Sequence, residues 1–261
     1  MNARSQVRSS LLVTNDDGIR SEGLRQLAIA ATQSDFDVLV AAPDQESSGS
    51  SAALSAVPAD GRIMISRTEL AGLPGVHTVA VDAAPAFIVF AALHGAFGPV
   101  PELVVSGINR GPNTGRAVLH SGTVGAAMTA APYGMRTAAF SLDWRDGAQT
   151  HWDTAAVVAA ELLPGLRSQR PGVVLNVNVP NIPRSQLRGI RPAHSQRREP
   201  SSCRYWRPHG TMCRSRCMNL LNDCLTAVML RWSPPGSPVS RNCCLCARSS
   251  GLYRPWPDRA S

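Results

Sequence analysis

The sequence predicts an α/β fold: a mostly parallel sheet covered by helices on both faces. Three observations predict it. Short apolar runs of strand length alternate with segments of helical periodicity, the connections between them are short, and the most polar residues fall just after the apolar runs. At 261 residues, 44% hydrophobic and 17% charged, the chain has the composition of a folded domain and enough length to bury a sizeable core.

The elements follow in order. Ser10 to Thr14 is an apolar run ending in Asn15-Asp16-Asp17-Gly18, the pattern of a buried parallel strand followed by a turn. Ser21 is a suitable cap for a helix whose apolar residues Leu24, Leu27, Ala28 and Ala31 recur at helical spacing. Asp37 to Ala42 is a second strand, expected to stop at Pro43. A Ser/Gly-rich loop from Glu46 to Ser51 follows, bending freely and exposing backbone N–H groups. Val76 to Val81 is a further strand, and Pro85 suits the first turn of a helix reaching about His94. Leu103 to Ser106 is a buried strand ending in Gly107-Ile108-Asn109. A Gly/Asn-rich loop then leads to Ser121, and a helix of small residues covers Thr123 to Ala131. Thr137–Leu142 (strand), a helix near 154–163 and Val173–Val179 (strand) complete the alternation.

Beyond about residue 197 the pattern fails. Residues 1–200 hold 17 Arg against 16 acidic residues, whereas 201–261 hold 9 Arg against 2, so the net charge of +8 belongs to the tail. All seven cysteines and three of the five tryptophans lie there too, and the chain has no lysine. We therefore read 1–197 as the folded domain and 198–261 as an atypical Arg/Cys/Trp/Pro-rich tail, expected to be poorly ordered apart from a short helix around 218–230. Its composition is that of GC-rich DNA read in a shifted frame; a lineage-specific extension is the alternative. The cysteine spacings fit no standard zinc pairing. No apolar run approaches the ~20 residues of a membrane-spanning helix, and the polar N-terminus is not a signal peptide, so a cytoplasmic location is expected.

In an open α/β sheet the ligand site lies beyond the carboxyl ends of the strands. Asp16 and Asp17, Ser48 and Gly49, and Asn109 and Asn113 fall at such ends. Adjacent carboxylates in a tight turn repel each other unless a cation neutralises them, and carboxylate, hydroxyl and amide oxygens suit magnesium or manganese. The plainer reading is that Asp16 caps a helix and Asp17 is solvated. Ser121-Gly122-Thr123 before a helix is either an anion cradle or ordinary N-capping. His120 is placed for acid–base work, while His77, His94, His151 and His194 show no ligand spacing. The absence of G-x-G-x-x-G after the first strand, and of any lysine for a P-loop, argues against dinucleotide and P-loop NTP binding.

Taken together, LLVTNDDGI (11–19), AAPDQESSGSS (41–51), ELVVSGINRGPN (102–113), VLHSGTVGAAM (118–128), LNVNVP (175–180) and RGIRPAH (188–194) resemble the SurE survival-protein family of 5′/3′-nucleotidases. The resemblance implies a Rossmann-like three-layer domain and a divalent-metal-dependent phosphohydrolase that removes phosphate from nucleoside monophosphates with a metal-activated water. By motif it places one cation, manganese or magnesium, on Asp16, Asp17, Ser48 and Asn109, gives Asp16 and Asp17 the catalytic roles, and puts Asn15, Gly49, Asn113, Ser121, Gly122 and Thr123 at the substrate. It also implies a homodimer or homotetramer where the C-terminus permits; the sequence itself predicts no membrane partner and disfavours nucleic acid.

The chain departs from the family pattern at Arg116-Ala117, where an acidic pair is usual, at His120 for a tyrosine, and at Ala83 to Ile88. These changes bear on substrate choice. The family's C-terminal region has no recognisable counterpart beyond about residue 197, so the alternative expectation is a nucleotide- or phosphate-binding protein with little turnover. A third class, nucleic-acid binding by Arg with Trp206, Trp232 and Trp256 of the tail, is disfavoured because the tail lacks an ordered pattern.

Overall fold

The computed structural model describes residues 8–54, 62–144 and 147–192, together with the backbone of 228–231 and 245–247. The tail's expected disorder, its cysteines other than Cys246, the three tail tryptophans, His194 and the domain limit near residue 197 lie outside the described residues.

Leu11, Leu12 and Val13 are fully buried in β1 (Ser10–Thr14). β1 pairs in parallel with β2 (Asp37–Pro43) on one side and β5 (Leu103–Arg110) on the other. The short edge strand β3 (Ile65–Arg67) runs antiparallel to β4 (His77–Val81), which pairs in parallel with β2. Beyond β5 lie β6 (Arg136–Asp143) and β7 (Val173–Pro180), both parallel. The outer edge of β7 pairs with β9 (Val228–Arg231), antiparallel, and β10 (Leu245–Ala247), parallel; β8 (Ile190–Arg191) pairs with β10. The order is therefore β3-β4-β2-β1-β5-β6-β7-β10-β8, and the chain reverses direction across the sheet between β1 and β5.

Helices cover both faces, as expected. α1 (Glu22–Gln33) and α4 (Trp152–Leu166) pack together on one face, over a core that includes Leu11, Val13, Leu24, Leu27, Val105 and Phe140. α2 (Pro85–Leu93) and α3 (Gly122–Ala130) pack on the other, over Leu12, Ala41, Val79, Ile88 and Val104. Each large side chain buried this way contributes about 1.5–3 kcal/mol. Ser21 caps α1 by accepting from the Leu24 N–H, and Pro85 opens α2.

Several elements differ from the sequence reading, each for a local reason. β2 includes Pro43, whose missing N–H costs nothing at the strand's end, while its carbonyl accepts from Ile19 N–H at 2.7 Å. α4 runs through Pro164 because Leu163 and Leu166, on either side, are both buried. Part of the Gly/Asn-rich loop is a 3₁₀ helix, Gly115–His120. Val228 to Leu230 are extended backbone on β7, so the helix expected around 218–230 does not reach them; its remainder lies outside the described residues.

The largest difference is in β5, which continues past Ser106 to Arg110. Its register with β6 slips between Ser106 and Asn109: three residues advance on β5 while two advance on β6. Such a bulge re-aims the following side chains. It requires Gly107, with φ +123°, because a Cβ there would come within 2.2 Å of the Phe140 carbonyl oxygen.

The face towards α2 and α3 turns polar where the strands end. Leu12 gives way to Thr14, Val104 to Ser106, Ala139 to Ser141, and Val174 to Asn176 and Asn178; all five polar residues are fully buried. This polar seam lies under the amino end of α3. α3 also lies against the Ser/Gly-rich loop, and that close approach depends on a small residue, because a Cβ on Gly125 would lie 2.2 Å from the Ser51 carbonyl oxygen. Helix propensity alone favours Gly125→Ala by about 1 kcal/mol. We expect the substitution instead to destabilise by about 1–3 kcal/mol, since the obstacle is backbone. Urea unfolding of the full chain checks this, and a gain in stability would contradict the packing described.

Candidate active site

At the carboxyl ends of β1 and β5, at the point where the strand order reverses, is a cavity of about 850 Å³. Its walls include Asp16, Asp17, Glu46, Ser48, Gly49, Asn109, Asn113 and Ser121, with Arg110, His120, Trp144 and Trp152 around them.

The turn after β1 is built from inside. Asn15 donates through Nδ2 to the Gly18 carbonyl (3.1 Å) and to Ser21 Oγ (2.6 Å), binding the turn to the cap of α1. Ser47 N–H donates to the Asp16 carbonyl at 2.7 Å, joining the Ser/Gly-rich loop to the same turn. The Asp16 carboxylate is almost fully buried and accepts from Thr123 Oγ1 at 2.5 Å. Gly122 leaves room for it: a Cβ there would lie 2.8 Å from Asp16 Oδ2 and 2.6 Å from Ser50 Oγ. Asp17 Oδ2 accepts from the Arg110 N–H at 3.0 Å, so the bulged end of β5 holds the second carboxylate.

Asn15, Gly122 and Thr123 are thus not on the cavity wall; they shape the turn and hold Asp16 from behind. The other sequence-selected residues, Asp16, Asp17, Ser48, Gly49, Asn109, Asn113 and Ser121, all line one space. Ser121 Oγ accepts from Val124 N–H at 3.0 Å, so its hydroxyl caps α3 as well. Asn113 is fixed by the polar seam. Its N–H donates to Asn178 Oδ1 (2.7 Å), its Nδ2 to Ser141 Oγ (2.9 Å), and its carbonyl accepts from Asn176 Nδ2 (2.8 Å).

The donor set fits a hard divalent cation. Ser48 gives its proton to Glu46 Oε1 at 2.7 Å, and Asn109 turns its Nδ2 to the Gly111 carbonyl at 2.8 Å. The Ser48 hydroxyl and the Asn109 amide oxygen keep lone pairs beside two carboxylates. Among the described residues no group of three His, Cys, Asp or Glu is arranged to hold a metal. A site here would therefore be two carboxylates, a hydroxyl and an amide, the ligand types of magnesium or manganese. The charge balance points the same way. Among the described residues, four carboxylates (Asp16, Asp17, Glu22 and Glu46) line the cavity against the single guanidinium of Arg110, and of the four only Glu22 has an ion pair, with Arg25. A phosphate would be repelled from such a wall without a cation on it.

Burial pushes the Asp16 carboxyl up, and the Thr123 hydrogen bond pulls it back in part. Burial, and next the charge of Asp16, push Asp17 up to about 6, while the Arg110 N–H opposes.

Sequence reasoning did not single out Glu46, Arg110, Trp144 or Trp152. Arg110 and Trp144 fall at the carboxyl ends of β5 and β6, so the rule that selected Asn109 could have found them. His120 lines the cavity; His77, His94 and His151 do not.

The model of the family described as Survival protein SurE matches residues 11–202. The chain is 37% identical over 193 residues to a 5′/3′-nucleotidase SurE of Yersinia enterocolitica, covering 73% of this chain and 72% of that protein. It is 39% identical over 193 residues to one of Salmonella arizonae, covering 73% and 71%. The crystal structure of the SurE protein from Aquifex aeolicus superposes with a TM-score of 0.60 at 30% identity, over 70% of each chain.

The raised Asp17 has a consequence for stability. In metal-stripped protein the folded state holds this proton more tightly than the unfolded chain does. The carboxylate therefore opposes folding, with no penalty below about pH 4 and the full penalty above about pH 6. In EDTA, Asp17→Asn is expected to raise stability at pH 7 by on the order of 1–3 kcal/mol and to have little effect near pH 4. Thermal unfolding at the two pH values checks this; equal Tm values for variant and parent at pH 7 would contradict it.

Proposed function

Because the chain belongs to the SurE family, we propose that it is a divalent-metal-dependent nucleotidase that removes phosphate from nucleoside monophosphates. The observation that supports this best is the meeting of Asp16, Asp17, Ser48 and Asn109 on one wall, with the hydroxyl proton of Ser48 and the Nδ2 of Asn109 both engaged elsewhere. When bound there, a divalent cation would supply a Lewis acid that lowers the pKa of a water molecule and polarises a phosphoryl oxygen.

The chain's own residues divide the remaining work. Asp16, clamped by Thr123, supplies fixed negative charge for the cation. Asp17 is held through Oδ2 by Arg110, leaving Oδ1 to orient the attacking water and accept its proton. Asn113, immobilised by Ser141, Asn176 and Asn178, and the amino end of α3 at Ser121 face the phosphoryl group and stabilise its charge as the bond to the leaving oxygen breaks. His120, on the same wall, is placed to hand a proton to that oxygen. Both products leave by the open side of the cavity.

The test is phosphate release from AMP by the reduced full chain. We expect release with manganese, none with EDTA, and a fall in kcat of on the order of a hundredfold or more for Asp17→Asn. Metal-dependent AMP binding without release would favour the binding-only reading, and turnover that survives EDTA would overturn the role of the four oxygen ligands.

A further inference from the structure

We infer that the stacked side chains of Arg110 and Trp144 form the nucleobase subsite of this cavity, a flat shelf on which the base of the substrate adds one more layer. This rests on the nucleotidase reading and specifies what holds the end of the substrate remote from phosphorus.

The guanidinium carbon of Arg110 lies 3.6 Å from the centroid of the Trp144 ring, a close cation–π stack. Such a pair on a plain surface would be packing and no more. Here both members line the cavity that contains Asp16 and Asp17. The two tryptophans on the wall also differ. Trp152 packs against the larger apolar core, where its ring lies over Gly23. Trp144 belongs to none of the apolar clusters of the described residues, so its half-buried indole fills no core.

Arg110 lies beside an acidic turn, yet its guanidinium forms no ion pair among the described residues; it lies on the indole instead. Its backbone N–H is what touches the dyad, donating to Asp17 Oδ2. One residue therefore sets the spacing between the carboxylate that handles phosphorus and the shelf that would receive the base. A planar guanidinium over an indole offers a delocalised cationic face to any aromatic ring. The stacked arrangement of the two side chains offers a flat surface to the face of a base. Recognition by stacking accepts all bases and grades them by stacking area, purines above pyrimidines.

The experiment compares AMP with ribose 5-phosphate, the same ester without a base, in the full reduced chain with manganese. The unsubstituted protein should show kcat/KM for AMP about tenfold above that for ribose 5-phosphate. Trp144→Ala should erase most of that ratio through the KM for AMP, and Trp144→Phe should keep it within about threefold. Arg110→Leu, which retains the N–H to Asp17, should lower the ratio in the same direction. A ratio unchanged by Trp144→Ala would overturn the subsite and leave the nucleotidase reading intact. If the unsubstituted protein releases phosphate from neither ester, that reading falls, and an equilibrium titration with adenosine decides the subsite by itself. Binding lost in Trp144→Ala supports it; binding that is absent, or unchanged by the substitution, overturns it.

Discussion

Two adjacent carboxylates, Asp16 buried and Asp17 half-buried, stand at the end of the central strand, and much of the local architecture answers that one unfavourable fact. A buried carboxylate beside another is stable only where hydrogen bonds and positive charge compensate it. Thr123, at the start of α3, gives Asp16 a hydrogen bond; Arg110, at the end of β5, gives Asp17 another. The loop after β2 is bonded to the same turn through Ser47, and Asn15 ties the turn to the cap of α1. Four elements thus converge on two residues. Burial and the neighbouring charge of Asp16 still push Asp17 up, against the Arg110 N–H.

The convergence explains which features were legible in the sequence. The strands β1, β2 and β7 and the capped helix α1 follow from short-range pattern, because burial on both faces makes a run of apolar residues and Ser21 marks a helix start by itself. The bulge in β5 was not legible, since it depends on Gly107 meeting the Phe140 carbonyl of a strand thirty residues later. Ser-Gly-Thr before α3 was legible as a special helix start, either a cap or an anion cradle, but short-range pattern could not show that Thr123 turns to Asp16, 107 residues away. The motif identifies the residues; only the fold says which of them face the cavity and which hold the others in place.

Asn176 and Asn178 illustrate the same point from the far side of the sheet. In sequence they are two polar residues in a valine-rich strand. In the fold they point towards the α3 face, at the level where Thr14, Ser106 and Ser141 also replace apolar residues, and together they hold the N–H and carbonyl of Asn113. Their burial is tolerable because each amide has partners, and those partners are what immobilise the asparagine on the cavity wall.

β7 has a second duty at these positions. A parallel sheet leaves unpaired backbone groups at its edge unless another segment covers them. Here Asn176 is in register with Val228 of β9 and Asn178 with Cys246 of β10. The backbone that meets the C-terminal strands and the side chains that fix Asn113 therefore belong to the same two residues. A change in how that edge is paired acts on the backbone of Asn176 and Asn178 first, and reaches the cavity through Asn113 before it reaches the carboxylates. Asp16 and Asp17, held by β5 and α3 in the middle of the sheet, are insulated from it by β6. The geometry thus separates the carboxylate pair, whose support comes from the centre of the sheet, from Asn113, whose support comes in part from its edge.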